Sequence, residues 1–213
     1  MSDPTLDTHH DAAPEPDCEP ALFVEFANRL RLTPPEAASG DADVVALRTW
    51  LATHGLLKGR VSGSTLEREL PAFRELRAAV RAIAERLSRG QRPTRSQVGV
   101  VNAAMRDGLH YHALRATGDG HRFRMEQVGD ELQQARATVA GSLAHYLADH
   151  DPDRLRVCAD DTCRWLFVDQ SPAGRRRWCD MRTCGNRAKV AAHRARARRS
   201  SPAPSGDADR ISA

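Results

Sequence analysis

Residues 158–199 read Cys-Ala-Asp-Asp-Thr-Cys (158–163), Arg-Trp-Leu-Phe-Val-Asp (164–169), Gln-Ser-Pro-Ala-Gly (170–174), Arg-Arg-Arg-Trp-Cys (175–179), Asp-Met-Arg-Thr-Cys-Gly-Asn-Arg-Ala-Lys (180–189) and Val-Ala-Ala-His-Arg-Ala-Arg-Ala-Arg-Arg (190–199). Four of the five cysteines fall in this stretch, in two pairs with four residues between the members of each. Zn²⁺ takes four soft ligands tetrahedrally, and two close thiol pairs about fifteen residues apart supply them. Cys158, Cys163, Cys179 and Cys184 are therefore the expected ligands of one zinc ion. The alternatives are two disulfides or four unrelated buried thiols; disulfides need an oxidising compartment, and the start Met-Ser-Asp-Pro-Thr-Leu-Asp has neither a basic region nor an apolar run. Four thiolates leave no open position for water, so the ion is read as structural and not catalytic. Oxidation with loss of metal is a minor reading of the same thiolates.

The residues between the pairs imply a shape. Trp165 to Val168 is a β-rich run, Ser171-Pro172-Ala173-Gly174 a turn, and Arg175 to Trp178 the expected return strand. Cys179 and Cys184 then lie where the chain passes into a helix starting near Gly185-Asn186, with Asn186 as its cap. Knuckle, hairpin and helix make a treble-clef-like layout. Trp165, Phe167 and Trp178 cover one side, and the metal supplies most of the folding free energy, on the order of 10 kcal/mol.

Cys-Gly-Asn-Arg-Ala-Lys (184–189), after Arg-Arg-Trp-Cys (176–179), Cys-Arg-Trp-Leu-Phe-Val-Asp (163–169) and the lead-in Asp-Pro-Asp-Arg-Leu-Arg-Val-Cys (151–158), resembles the CGNR zinc-finger family of bacterial proteins. Family members join this finger to an amino-terminal helical domain termed ABATE and are described as stress-induced transcription regulators. Ala-Leu-Phe-Val-Glu-Phe-Ala-Asn-Arg-Leu (21–30) and Asp-Val-Val-Ala-Leu-Arg-Thr-Trp-Leu (43–51) resemble that domain. Ser-Pro-Ala-Gly (171–174) departs from the more polar, Asn-containing turn of the family, which leaves the contacts of that loop open.

Charge is divided unevenly. Residues 154–199 hold 13 Lys/Arg against 4 Asp/Glu, and the rest of the chain holds 19 against 24. An acidic body with a basic end points to a polyanion partner for that end alone. On a helical wheel after Cys184, Arg187, Arg194 and Arg198 share one side, Lys189, His193 and Arg196 the other, and alanines a narrow stripe between. Such a helix has no face to bury. Arg175, Arg176, Arg177, Arg198 and Arg199 are expected on phosphates, and Arg187, Lys189, His193 and Arg194 near base edges, with Arg196 completing the basic surface.

The remaining pattern is mainly α. Residues 1–20 are Asp-, Pro- and His-rich, and composition makes them a flexible tail and not a metal site built from His9, His10 and Cys18. A first helix is predicted from Ala21 to Leu32, stopped by Thr33-Pro34-Pro35. A second runs from Asp43 to His54, capped by Asp41 or Asp43. Ser64-Thr65-Leu66-Glu67 opens a short turn, and Pro71 begins a long helix to Arg89. Ser96 opens a fourth, with Val98, Val101, Met105 and Leu109 inward. Segments 110–116 and 121–126 flank Gly118-Asp119-Gly120 as a β-hairpin, and Asp130 caps a fifth helix ending near Asp149. The expected layout is a tail over 1–20, a self-standing helical domain with one inserted hairpin over 21–150, a zinc module over 151–199 and a tail over 200–213.

No stretch approaches the length of a membrane span. No nucleophile elbow, zinc-protease motif, phosphate-binding Gly loop or dinucleotide fingerprint occurs, so no enzyme is indicated. His110, His112 and His121 on the hairpin lack a carboxylate or nucleophile partner and read as a polar face. The sequence thus predicts a cytoplasmic transcription regulator that binds double-stranded DNA as a homodimer, with a possible small-molecule effector between its helices. The runners-up are an RNA-binding or ribosome-associated zinc protein, discriminated by exposure of Trp165, Phe167 and Trp178, and a protein-interaction adaptor.

Overall fold

A computed structural model describes residues 21–30, 32 and 40–200, apart from the side chains of 21 and 198–200. The readings made above for 1–20, for Thr33-Pro34-Pro35, for 201–213 and for the side chains of Arg198 and Arg199 lie outside the described residues.

The chain runs α1 (Ala21–Arg29), α2 (Asp41–Thr53), α3 (Gly63–Leu87), α4 (Arg95–Asp107), β1 (His110–Thr117), β2 (Gly120–Gln127), α5 (Glu131–Asp149), β3 (Leu155–Val157), β4 (Leu166–Val168) and α6 (Asn186–Ser200). A short 3₁₀ turn, Pro152–Arg154, precedes β3, and a wide helical turn, Met181–Gly185, leads into α6. The architecture is mainly helical with two antiparallel strand pairs; the helical character and the β1–β2 hairpin are as the sequence predicts.

Helix α3 is the axis of the body, packing against α1, α2, α4, α5 and β3. It is longer than predicted. Ser62, not Ser64, caps it by accepting the Thr65 N–H, and Pro71 sits well inside. An interior proline costs about 3 kcal/mol through its missing donor and the clash with the preceding turn. Leu66 and Leu70, on the turns before it, are fully buried, and each contributes about 1.5–3 kcal/mol. Burial on both sides of the proline outweighs the local break, which is why a start signal at Pro71 misleads.

The core joins Phe23 and Phe26 of α1, Leu47, Trp50 and Leu51 of α2, Phe73, Leu76 and Ile83 of α3, and Val139, Leu143 and Tyr146 of α5. Phe26 meets Trp50 edge-on at 5.3 Å between ring centroids. Asp43 caps nothing: α2 starts after Gly40 with no side-chain cap, and Asp43 is buried in an ion pair with Arg74. The cap of helix α4 lies two residues earlier than predicted, with Thr94 and Gln97 forming a capping box. Its inward face centres on Val101 and Ala104, while Val98 and Leu109 are exposed. The small residues let it approach α5 closely: a Cβ on Gly108 would lie 2.1 Å from that of Ala137.

Strands β1 and β2 pair as predicted about the Gly118–Gly120 turn. The three histidines do not converge, however. His121 lies opposite Ala116, four residues or about 13 Å along β1 from His112, which stacks on Phe123.

The zinc segment does not stand apart from the body. Leu155 of β3 and Leu166 of β4 are wholly buried and belong to the main core. Asn28 of α1 acts as a strand edge: its Nδ2 donates to the Leu166 carbonyl and its Oδ1 accepts the Leu166 N–H, both at 2.8 Å. Arg81 of α3 donates to the Ala27 carbonyl at 3.1 Å and to the Arg164 carbonyl at 2.9 Å. Leu155 and Leu166 thus cover part of the helical core, so removal of residues 155–213 is expected to expose it.

Replacing Asn28 by Ala leaves a buried N–H and C=O of Leu166 without partners, an expected loss of about 2–4 kcal/mol. Urea unfolding of the zinc-loaded protein checks this, and a loss under about 0.5 kcal/mol would show that the pair does not anchor the segment.

Candidate metal centre and basic helix

The knuckle from Cys158 to Cys163 turns on Asp160, whose Oδ1 accepts the Thr162 N–H at 3.0 Å and hydroxyl at 2.7 Å. The Asp160 carbonyl accepts the Cys163 and Arg164 N–H groups. Arg164, next to the second cysteine, takes φ +52, the one positive-φ non-glycine among the described residues. That conformation costs about 1–2 kcal/mol for a residue with a side chain. Two tethers from α3 hold it, Arg81 on its carbonyl and Glu85 on its guanidinium at 2.8 Å.

Strand β4 pairs upstream with β3, not downstream with 175–178, which forms no strand. Three-residue strands carry too little alternation to fix a partner from sequence. The second segment is instead joined to the knuckle by the Ala159 N–H, which donates to the Arg177 carbonyl at 2.8 Å. Asp180 caps the wide turn after Cys179 by accepting the Arg182 N–H, and Asn186 is already helical and caps nothing. Gly185 permits this turn to close. A Cβ there would lie 2.6 Å from Met181 Sδ and 3.1 Å from Trp178 Cδ1.

The Sγ atoms of Cys158, Cys163, Cys179 and Cys184 all lie within 4.8 Å of one another. Cys163 and Cys179 Sγ are 3.6 Å apart, and those of Cys179 and Cys184 3.8 Å. A tetrahedron with Zn–S bonds of about 2.3 Å places its sulfurs about 3.8 Å apart, against about 2.05 Å in a disulfide. The four thiols are free and fit one zinc ion. Burial pushes the Cys163 and Cys179 thiols above their ordinary range, whereas the Arg187 guanidinium draws Cys184 down to about 7. A dication is what lets four such sulfurs ionise together. Phe167, Trp165 and Trp178 pack against the cysteines as the sequence predicts.

The basic residues divide by what they touch. Arg187 is directed not outward to bases but to Cys184 Sγ at 3.2 Å and Asp160 Oδ2 at 2.9 Å, where it offsets thiolate charge. Arg176 lies over Phe167, 5.2 Å from the ring centroid, and its N–H donates to Asp169. Arg177 lies 5.0 Å over Trp178. Arg175, Lys189, His193, Arg194 and Arg196 are exposed. After the half-buried Ala188, α6 is exposed at every described side chain through Ala197. Three residues that sequence reading passed over also matter. Asn28 and Arg81 gave no signal, being ordinary polar positions on helices, while Asp160 sits in an Asp-Asp-Thr turn whose side chain has an identifiable local role.

Residues 154–197 match the CGNR zinc finger family. Residues 20–150 match the ABATE family, whose description is “Putative stress-induced transcription regulator”. Comparison with curated proteins finds no match.

Cys163→Ser and Cys184→Ser are expected to abolish the single bound zinc, and Arg187→Ala to weaken it by about 10–100-fold, the usual effect of losing an outer-shell partner. Metal analysis and chelator competition read these outcomes. Full zinc retention in both serine variants would reject the site.

Proposed function

The chain belongs to the ABATE family and carries a CGNR zinc finger after its ABATE region, and from that premise we propose a DNA-binding transcription regulator. In this reading, α6 docks on duplex DNA as a rigid basic rod. The observation that carries it is the placement of α6: its first turn is fixed beside four clustered cysteines, while the rest presents Lys189, His193, Arg194 and Arg196 to solvent with no apolar face. Because Arg194 shares the helix side of Arg187 and Arg198, it moves in this reading from the base edges to phosphate with Arg175, Arg198 and Arg199. Arg196 joins Lys189 and His193 on the opposite side, nearest the base edges. Arg187 serves the metal centre instead. Arg176 and Arg177, folded over aromatic rings, keep their charge available to phosphate from fixed positions.

The alternative of RNA recognition through stacked bases is disfavoured because its candidate rings are in use. Phe167 is buried, and Trp165 and Trp178 are half-buried against the cysteines. An adaptor reading differs in that binding to its acidic partner would ignore competing polynucleotide. The sealed coordination sphere argues for a regulator without enzymatic activity of its own.

One short helix binds weakly at physiological salt, so the protein acts as a homodimer on paired half-sites in the cytoplasm. The ABATE region supplies the pairing and the effector site. A cleft of about 340 Å³ between α3 and α4, lined in part by Glu75, Ser96, Asp107 and Arg136, has the size and mixed polarity for a small effector. No helix among the described residues is long and apolar enough to cross a membrane.

Fluorescence anisotropy with a mixed-sequence duplex tests the DNA reading. Log affinity should fall linearly with log salt, and Arg175→Ala with Arg194→Ala should reduce the slope by about 0.9 for each lost contact. An unchanged slope would remove these residues from the interface, and salt-insensitive binding would sink the reading.

A further inference from the structure

We propose that the β1–β2 ribbon is the self-association arm of this protein, its uncharged face packing against the same face of a second copy. The inference rests on the paired-copy part of the reading above and names the surface that makes the pair.

The register separates two unlike faces. Tyr111, Arg115, Arg122, Arg124 and Glu126 share one of them. That face is polar and charged: Glu126 accepts the Tyr111 hydroxyl at 2.7 Å and two Arg115 N–H groups at 2.5 and 2.7 Å, and Arg122 lies 3.5 Å from Asp119. The other face runs from the His110–Gln127 pair, through His112–Met125 and Leu114–Phe123, to Ala116–His121. It contains no Lys, Arg, Asp or Glu. Leu114, Phe123 and Met125 are 69%, 71% and 65% exposed. His112 stacks on Phe123 at 4.8 Å with planes 7° apart, so the aromatic part of the face is already ordered.

A lone two-stranded ribbon is marginal in water and persists when one face is covered. Three adjacent large apolar side chains directed outward make such a cover favourable by roughly 25 cal/mol per Å² removed from water. The segments of this sequence outside the described residues are poor candidates. Residues 1–20 contain Met1 and Leu6 as their large aliphatic residues, 201–213 contain Ile211, and 33–39 contain none. Nucleic acid finds no cation on this face. A second copy meets no Lys, Arg, Asp or Glu there, since two-fold packing sets the patch of Leu114, Phe123 and Met125 against the same patch of the other copy. Eight residues at about 3.4 Å each make a ribbon about 27 Å long. Its one face offers several hundred Å² per copy, at the low end of specific interfaces, so the dimer is expected to dissociate in the micromolar range.

Sedimentation equilibrium of the full zinc-loaded chain, over about two decades of concentration around that range, tests the inference. The wild type should pass from monomer to dimer, and Leu114→Lys with Phe123→Lys should move the transition at least about tenfold toward monomer. Zinc content and far-ultraviolet circular dichroism should stay unchanged, because both positions are exposed. As a second readout, benzoylphenylalanine placed at Phe123 should photo-cross-link two copies, and at Arg122 on the opposite face it should not. A wild type that stays monomeric, a double variant that dimerises like the wild type, or equal cross-linking from both positions would overturn the proposal. Binding to a single half-site duplex separates the two readings: a dimer that ignores DNA rejects the regulator reading and leaves the arm standing, whereas a monomer that binds DNA does the reverse.

Discussion

Four sulfur atoms brought together across 27 residues of sequence are the constraint from which the carboxyl-terminal quarter takes its shape. The segment has few apolar residues of its own, and its second half contains no paired strand. With a dication among them, the sulfurs convert electrostatic repulsion into attraction and fix the turn that launches α6. Arg187 completes this arrangement from within the helix. The Arg of the Cys-Gly-Asn-Arg motif thus has a local purpose in charge balance, and Gly185 has one in space, since Trp178 and Met181 occupy the room a side chain would need.

The metal centre and the helical body are stabilised by overlapping sets of groups. Arg81 bonds at once to the end of α1 and to the strained residue of the knuckle, and Glu85, one turn further along α3, holds the side chain of that same residue. Asn28 supplies β4 with the partner that a longer sheet would have given it. Buried polar pairs of this kind depend on fixed geometry more than on area. Their presence gives the ABATE family region and the CGNR finger one continuous core through Leu155 and Leu166.

Much of this was legible in the sequence, and the failures have physical reasons. Paired cysteines announce themselves because tetrahedral thiolate coordination has few substitutes, and the β1–β2 hairpin because Gly-Asp-Gly leaves the chain few other paths. Helices α2 to α5 followed from apolar spacing, but their starts did not. Ser62 and Thr94 cap where Ser64 and Ser96 looked equally suitable, and Pro71 was overridden by leucines whose burial depends on the rest of the fold. The pairing of β3 with β4 and the inward turn of Arg187 are properties of three-dimensional neighbours. Composition records that Arg187 is basic, and only the structure records that Asp160 and Cys184 are waiting for it.

The double bond of Asn28 to the backbone of Leu166 has a geometric corollary. It removes the swivel that a tethered finger on a loose linker would enjoy, so α6 leaves the body in one direction only. In the proposed dimer, two copies joined at a fixed surface would behave as a caliper, with jaws set by the fold and not by thermal wandering. On duplex DNA, such a tool would accept spacings between sites that differ by whole turns, each of roughly 10.5 base pairs. Displacing one site by half a turn would put it on the far side of the double helix, where a rigid jaw does not reach.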